Sequence, residues 1–236
     1  MDYLYTIPDN AFALAIVDPP YGIGADKPKK KPHFARQRNG KFLPVKHNDY
    51  GKKQWDAEPP GEEYFSELFR VSRNQIIFGA NYFGLKGGMI VWDKMNAGSD
   101  QYGCEIAFQS FNRRTDIVHY MWHGMFQGAH CSEDAARALE QQGNKRLNER
   151  RIHPTQKPVA LYAWLLQRYA CPGDNILDTH LGSGSSRIAA YKLGFDFVGI
   201  EKDPEYFRLQ EARFQRECHG EEEMSDGRKM AQLTLF

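Results

Sequence analysis

The sequence predicts an α/β fold built on a mostly parallel central sheet. The main observation is a strand–helix–strand–helix unit near the C-terminus, formed by strand Asn175–Asp178, helix Ser186–Lys192, strand Phe197–Glu201 and helix Pro204–Arg216. This alternation is typical of parallel strands joined by right-handed crossovers. A second observation is the apolar run Leu14–Val17, which is short and ends just before two prolines, as a buried strand does.

The elements between these two units follow from local patterns. Apolar residues at helical spacing predict a helix over Glu62–Val71, and an amphipathic pattern predicts another over Val159–Tyr169. Three further apolar runs predict strands at Gln75–Phe78, Met89–Trp92 and Glu105–Phe108.

Residues 112–151 fit the core pattern poorly. They mix histidine, aromatic and arginine residues, with a helical piece around Asp134–Gln142. The region is therefore either a small inserted recognition region or a long surface connection.

Composition indicates one well-filled domain. Of the 236 residues, 41% are hydrophobic and 13% aromatic, which argues against global disorder. The four cysteines form no C-x-x-C pair, so they indicate neither a disulfide framework nor a zinc site. The sequence shows no export signal and no apolar run long enough to cross a bilayer, and we expect a cytoplasmic protein without a metal or a membrane partner.

Positive charge is concentrated in one segment. Between positions 27 and 53, ten lysine or arginine residues accompany a single acid, Asp49, although the net charge of the chain is only +1. Residues 27–60 are predicted to form a long mobile loop. A basic segment on an otherwise acidic body indicates a polyanionic partner; a solvated loop is the alternative that charge alone leaves open.

A glycine-rich turn follows the strand that ends at Asp178. Glycines such as Gly182 and Gly184 let the backbone approach a ligand, and the next helix offers free N–H groups. Glu201, 19 positions after Gly182, can accept both hydroxyls of a ribose. The absence of a third glycine and of a G-K-[ST] motif argues against a dinucleotide or a nucleoside triphosphate. The turn therefore predicts a different adenosine-containing ligand; a tight turn beside a solvated glutamate is the alternative.

Four motifs together resemble one family. Asp18-Pro19-Pro20-Tyr21, "HPTQKP" at 153–158, "DTHLGSGSS" from Asp178 and "GIEKDPEYF" around Glu201 resemble the S-adenosylmethionine-dependent amino-group DNA methyltransferases. The catalytic motif precedes the cofactor motif, which is the circularly permuted, beta-class order. The resemblance covers roughly residues 3–215 and implies a Rossmann-like methyltransferase fold. The "DPPY" form, rather than "SPPW", implies methylation of adenine N6.

The resemblance implies roles for individual residues. Asp18 and the carbonyl of Pro19 would accept hydrogen bonds from the target amino group, Pro20 would restrict the backbone, and Tyr21 would stack on a flipped base. The residues implied at the cofactor are Lys157, paired with its methionine carboxylate, Asp178, Gly182 and Gly184 at its methionine end, and Glu201 at its ribose. His180, which can pack beside the ligand, and Ser183 of the same turn are also implied to bind it. Thr179 and His180 replace the usual Pro and Phe of the turn.

Double-stranded DNA is the implied partner. The basic loop is expected to contact phosphates through Lys29, Lys30, Lys31, Arg36 and Arg38, and a target-recognition region at 111–151 to contact the grooves through Arg113 and Arg114. These assignments divide the chain into a catalytic half at 1–110, the recognition region at 111–151, a cofactor-binding half at 152–216 and a tail at 217–236. A homodimer is common in the class.

The tail ends in "QLTLF", Gln232 to Phe236. The string resembles the pentapeptide that binds the bacterial sliding clamp, with Gln232 as a hydrogen-bonding anchor and Leu233, Leu235 and Phe236 as apolar contacts. A tail that folds back on its own domain is the alternative.

Two other functions are weighed against adenine methylation. One is methylation of cytosine N4, because related motifs serve both reactions. The other is a catalytically weak DNA-binding or clamp-associated homologue, given the altered cofactor turn. Base analysis of methylated DNA separates the first from the leading prediction, and transfer of a labelled methyl group separates the second.

Overall fold

The computed structural model describes residues 1–25, 34–36, 41–44, 53, 55–96, 102–123, 126–223 and 229–231, and for 34–36, 42–44, 221–223 and 229–231 it describes the backbone alone. None of the helices in these ranges is long and apolar enough to cross a membrane.

The centre of the fold is a seven-stranded sheet, accompanied by three two-stranded ribbons. The strands in chain order are β1 Phe12–Val17, β2 Phe34–Arg36, β3 Phe42–Pro44, β4 Ser72–Phe78, β5 Gly88–Asp93, β6 Cys104–Gln109, β7 Thr115–His119, β8 Trp122–His123, β9 Phe126–Gln127, β10 Asn175–Asp178, β11 Asp196–Gly199, β12 Glu221–Glu223 and β13 Lys229–Ala231.

The sheet has the order β11-β10-β1-β4-β6-β5-β7 and is mostly parallel. Only β6 runs antiparallel to its neighbours, β4 and β5. The carboxyl ends of the six parallel strands therefore meet at one edge, and β6 begins at that same edge. Next to β1, the chain crosses to β4 on one side, while β10 continues to β11 on the other. The loops after β1 and β10 consequently diverge and leave a crevice between them, which is where ligands bind in open α/β sheets.

Helices pack against the sheet and complete the core. They are α1 Asp2–Tyr5, α2 Glu62–Val71, α3 Ala80–Phe83, α4 Ala135–Ala138, α5 Val159–Tyr169, α6 Ser185–Leu193 and α7 Pro204–Phe214, with short turns of helix at Lys145–Leu147 and Gln215–His219. Alternate residues of β1 enter two apolar clusters: Leu14 and Ile16 pack with α5 and α6, and Ala15 and Val17 pack with α1 and α2. The period of two is that of a strand buried on both faces.

The observed fold confirms the predicted α/β class with a mostly parallel sheet. One strand of the central sheet was missed: β7 lies within the predicted recognition region and pairs in parallel with β5 at the edge of the sheet. Its five residues, Thr115 to His119, include only two adjacent apolar ones, Ile117 and Val118, and Ile117 is exposed. No continuous apolar run therefore indicated the strand. The short strands of the three ribbons were not predicted either. Glu201 was expected to end a strand, but β11 ends at Gly199 and Glu201 lies in the following loop.

Candidate active site

A large cleft opens at the carboxyl edge of the sheet, over the crevice between β1 and β10. Its volume is about 1440 Å³, larger than the ~300–1,000 Å³ typical of a small-molecule pocket. Nine residues predicted for catalysis or cofactor binding line it: Asp18, Pro19, Pro20, Tyr21, Lys157, His180, Gly182, Ser183 and Glu201. The folded chain thus brings together two motifs that are about 160 positions apart in sequence.

Asp18 follows the last residue of β1 and projects into the cleft. Its Oδ1 accepts a hydrogen bond of 2.7 Å from the hydroxyl of Tyr21, and its Oδ2 lies 2.5 Å from Nζ of Lys157. Burial raises the pKa of Asp18, and the carboxylate of Glu105 raises it further, while Lys157 and the Tyr21 hydroxyl act in the opposite direction. Both oxygens of this carboxylate are therefore engaged by groups of the protein.

Lys157 lies inside the site and not at its surface. Only 3% of its side chain is exposed, and its Nζ is shared between Asp18 and Oε2 of Glu105, at 3.0 Å. Oε1 of Glu105 in turn contacts Nζ of Lys94 at 2.5 Å. Although burial opposes its ionisation, the two lysines lower the pKa of Glu105 to about 2. The predicted contact of Lys157 with a cofactor carboxylate stays a prediction, because its nearest partners in this structure are Asp18 and Glu105.

The ring of Tyr21 packs against aromatic residues that follow β4 in sequence. Its ring stacks on Tyr82 with centroids 4.8 Å apart and 17° between the planes, and it meets the ring of Phe83 edge-on. Gly79 allows this approach: a Cβ there would lie 2.4 Å from Cε1 of Tyr21, and its φ of +78° is one that side-chain-bearing residues rarely adopt.

The glycine turn after β10 forms the other half of the cleft. Gly182 and Gly184 adopt φ values of 51° and 74°, which the sequence predicts from the glycines themselves. Oε2 of Glu201 accepts the N–H of Gly182 at 2.8 Å, and Oε1 accepts the N–H of Asp203 at 2.8 Å. Burial raises the pKa of Glu201. The carboxylate is thus fixed by two backbone bonds at the mouth of the turn, with lone pairs left for ligand hydroxyls.

Two predicted cofactor residues lie behind the cleft and do not line it. Asp178 is 1% exposed; its Oδ1 accepts the N–H of His180 and its Oδ2 accepts the hydroxyl of Ser186. Gly184 packs against the side chain of Gln210. Both residues shape the turn from beneath. Their expected contact with the cofactor stays a prediction.

His180 occupies the position where the methyltransferases that the sequence resembles usually have phenylalanine. Its Nδ1 lies 3.0 Å from Oγ1 of Thr179, and its ring meets the ring of Tyr64 edge-on. Burial lowers the pKa of His180 to about 4, so the imidazole is neutral at pH 7. Thr179 also contacts the hydroxyl of Tyr64 at 2.6 Å. Thr179 and Nδ1 of His180 therefore have hydrogen-bonding partners within the protein.

The underside of the turn is braced by a fully buried arginine. Arg213 donates to the carbonyl of Ser183 and to Oγ of Ser185, and it pairs with Glu149 and Glu217. Burial raises the pKa of Glu149 to about 7, against the attraction of Arg213. Arg213 therefore connects the cofactor turn to the end of the predicted recognition region.

The predicted DNA-binding residues lie apart from this site or outside the described residues. Arg113 and Arg114 are exposed in the turn between β6 and β7, at the opposite edge of the sheet, because β6 runs antiparallel. Lys29, Lys30, Lys31 and Arg38, the side chain of Arg36, and Gln232, Leu233, Leu235 and Phe236 of the tail lie outside the described residues. Their roles stay predictions.

Sequence reasoning missed several residues of the cleft. Glu105 was taken only as the start of a strand, and a lone acid at the head of an apolar run was the available signal. Asp56, buried, accepts the N–H groups of Gly22 and Ala25 and so fixes the turn that follows Tyr21. Lys53 pairs with Asp203, which lines the cleft, and with Glu205. These contacts depend on tertiary pairing, which no local pattern encodes.

Comparison with known proteins finds similarity to methylases. Residues 134–212 match the model of a DNA methylase family, N6_N4_Mtase. The chain is 26% identical over 213 residues to YubD of Escherichia coli (strain K12), a protein that carries the name of a methylase; the match covers 88% of this chain and 84% of YubD. Over 65 residues it is 38% identical to the type II methyltransferase M2.DpnII of Streptococcus pneumoniae, covering 28% of this chain and 24% of that enzyme.

A solved structure shares the fold. The complex of M1.HpyAVI with SAM superposes with a TM-score of 0.51 at 20% identity, covering 89% of this chain and 92% of that one. The chain therefore shares the fold of this methyltransferase structure, and its residues 134–212 match the model of the N6/N4 DNA methylases.

Proposed function

We propose that this chain, whose residues 134–212 match the N6/N4 DNA methylases, transfers a methyl group from S-adenosylmethionine to N6 of adenine in double-stranded DNA. The observation that carries the proposal is the shared cleft. Asp18 and Pro19 open onto it from one side, and the Gly182 turn with Glu201 opens onto it from the other.

The residues of the turn fit S-adenosylmethionine. The positive φ of Gly182 gives a backbone that a ligand can approach, and Glu201 is anchored with acceptor capacity for two ribose hydroxyls. His180 is neutral and can pack beside an uncharged part of the ligand. When bound, the cofactor supplies an electrophilic methyl group on a sulfonium.

Asp18 and Pro19 act on the target amine. The lone pair of an exocyclic amine is conjugated into the ring, which makes the nitrogen a poor nucleophile. Hydrogen bonds from this amine to the Asp18 carboxylate and the Pro19 carbonyl favour a tetrahedral nitrogen with a localised lone pair. Proline has no N–H, so the two prolines present acceptors without competing donors. Positioning and electrostatics then supply the rate enhancement.

The base reaches this site only if it leaves the helix stack. A duplex hides the exocyclic amine, so an enzyme that acts on it extrudes the nucleotide into a pocket. Tyr21 offers an aromatic ring there, supported by Tyr82 and Phe83. The volume of the cleft is large enough for a cofactor and an extruded base together.

Adenine N6 is favoured over cytosine N4 by the motif alone. The sequence Asp18-Pro19-Pro20-Tyr21 has the form associated with adenine, whereas the matching family includes enzymes of both kinds. Cytosine N4 is therefore the second candidate. The same carboxylate and carbonyl would accept its amine.

The experiment that tests this function is nucleoside analysis of DNA methylated by the purified chain. Unmethylated duplex DNA is incubated with labelled S-adenosylmethionine, digested and separated. We expect N6-methyladenine; N4-methylcytosine would support the second candidate, and DNA without label would refute both. Single-molecule mapping of modified bases in an expressing host would then give the recognition sequence.

Contacts with the partners are also proposals. The basic segment at 27–53 is expected to bind phosphates, so affinity for DNA should fall steeply with salt, and neutralising Lys29–Lys31 should flatten that dependence. The "QLTLF" tail is proposed to bind a sliding clamp, and deletion of residues 232–236 should abolish capture by the clamp. A homodimer would be detected by light scattering.

A further inference from the structure

A network of four alternating charges lies at the catalytic end of the cleft. It runs from Asp18 to Lys157, from Lys157 to Glu105, and from Glu105 to Lys94, with contacts of 2.5, 3.0 and 2.5 Å. We propose that Glu105 and Lys157 are positioning residues for Asp18. Lys157 pairs with both Asp18 and Glu105, so that its ammonium keeps an anionic partner when Asp18 turns from the lysine to the amine of the substrate. The proposal rests on the proposed function.

Lys157 is fixed at both of its ends. Its carbonyl accepts the hydroxyl of Ser185 at 2.6 Å, which ties its backbone to the cofactor turn. Its Nζ also lies 4.5 Å from the ring centre of Phe78 and donates to the hydroxyl of Tyr21 at 3.2 Å. The ammonium therefore cannot withdraw into solvent, and it remains between the two carboxylates.

The arrangement creates a competition for Asp18. Tyr21 and Lys157 each engage one oxygen of its carboxylate, and the amine of the base must donate to the same group. Each oxygen keeps a further lone pair, but a carboxylate whose charge is neutralised by an ammonium attracts a second donor less strongly. A buried ammonium that loses its anionic partner is strongly destabilised. Because Glu105 also contacts Lys157, the lysine keeps a partner when Asp18 turns to the amine. Glu105 thus lowers the cost of freeing Asp18.

The balance of the reaction points to the same need. Transfer forms an N–C bond, breaks the S–C bond with its electron pair staying on sulfur, and leaves one surplus proton on the amine nitrogen. Asp18, which accepts a hydrogen bond from that amine, is placed to take the proton. A protonated Asp18 no longer neutralises Lys157, and Glu105 then does so alone.

Other ionisable groups also face Asp18. Tyr21 lies in the same loop, Tyr162 comes from α5 and Asp178 comes from β10. Burial keeps both tyrosines neutral, raising each pKa well above its ordinary value. Asp178 is unchanged in all the variants below, so it does not contribute to the differences between them. Replacing Lys157 removes a positive charge beside Asp18, and replacing Glu105 removes a negative one. The two replacements should therefore shift the pKa of Asp18 in opposite directions.

The test compares Lys157→Met and Glu105→Gln in single-turnover methyl transfer at saturating cofactor and DNA, measured against pH. Activity needs ionised Asp18, so it falls as the pH drops through the pKa of that residue. Removing the cation should move this acidic limb upward by about 1–3 pH units, and removing the second carboxylate should move it downward. Glu211→Gln is the matched control, since Glu211 contacts Arg187 at the same 2.5 Å on the helices outside the cleft.

A second readout does not depend on turnover. The carboxyl carbon of Asp18 is titrated by NMR in each variant, and binding of S-adenosylmethionine is measured by calorimetry. We expect opposite shifts of the Asp18 titration in the two variants, no shift in Glu211→Gln, and cofactor affinity that changes far less than the rate. Shifts of the same sign, or none beyond the control, would overturn the proposal. So would a Lys157→Met variant that loses cofactor affinity alone, because the lysine would then serve the cofactor carboxylate. An inactive wild type with opposite NMR shifts would refute the proposed function and leave the network intact.

Discussion

Replacing Asp178 by asparagine should remove a specific part of the pH dependence of stability. Asp178 is 1% exposed, and burial raises its pKa from 3.8 to about 7, although Ser186 and the backbone of His180 act in the opposite direction. A carboxyl group with a raised pKa in the folded state binds its proton more tightly there than in the unfolded chain. Its contribution to stability is therefore complete below pH 3.8 and is lost as the pH rises through about 7.

The size of this effect follows from the shift. At about 1.4 kcal/mol per pKa unit, a rise from 3.8 to about 7 corresponds to a loss of about 4 kcal/mol across that window. Asparagine has no proton to exchange, and its amide can still accept the N–H of His180. The free energy of unfolding of the wild type should therefore fall by about 4 kcal/mol relative to Asp178→Asn between pH 3 and pH 8.

Urea denaturation at several pH values measures this difference. Asp196→Asn is the matched control, because Asp196 is exposed on the neighbouring strand β11 and the chemical change is the same. We expect the control to follow the wild type. Parallel stability curves for Asp178→Asn and the wild type would refute the assignment of a buried, protonatable carboxyl beneath the cofactor turn.

Two further predictions concern the walls of the cleft. Gly79→Ala should slow methyl transfer more than tenfold, because its Cβ would lie 2.4 Å from the ring of Tyr21. The control is Gly84→Ala, which has a φ of +63° and no atom within 4 Å of the added Cβ, so it should lose only the ~1 kcal/mol of stability that the backbone conformation costs. Equal behaviour of the two variants would contradict the clash. Glu201→Gln should weaken binding of S-adenosylmethionine about tenfold or more, as measured by calorimetry. The two carboxylate oxygens accept the N–H groups of Gly182 and Asp203, and the single oxygen of an amide cannot replace both. Unchanged affinity would contradict the role of the carboxylate.

The elements with strong local signals were predictable from sequence. The helix over Glu62–Val71 has the predicted bounds, and β1 and β10 lie where short apolar runs precede Asp18 and the glycine turn. These signals also predicted that Asp18 and the glycine turn follow the ends of two strands, and in the folded sheet these two strands are neighbours. Strand ends and glycines are local features, and the parallel sheet brings them to one edge.

The charges inside the site were not predictable in the same way. Glu105 reaches Lys157, the partner of Asp18, only because β6 is antiparallel and begins at the catalytic edge, which depends on the order of the strands. The same reversal carries Arg113 and Arg114 to the far edge, away from the cleft. Lys157 was expected at the cofactor, but which of several nearby anions a lysine contacts is a tertiary property that its sequence context does not determine.

The most direct measurement of the central claim is single-turnover methyl transfer by Asp18→Asn. Asparagine keeps the shape of the side chain but removes the charge and presents an N–H₂ group where the amine needs an acceptor. With cofactor and DNA affinities measured in parallel, we expect binding to change by only a few-fold while the rate of transfer falls by about 10²–10³-fold. A variant that binds both ligands and methylates DNA at the rate of the wild type would contradict the account.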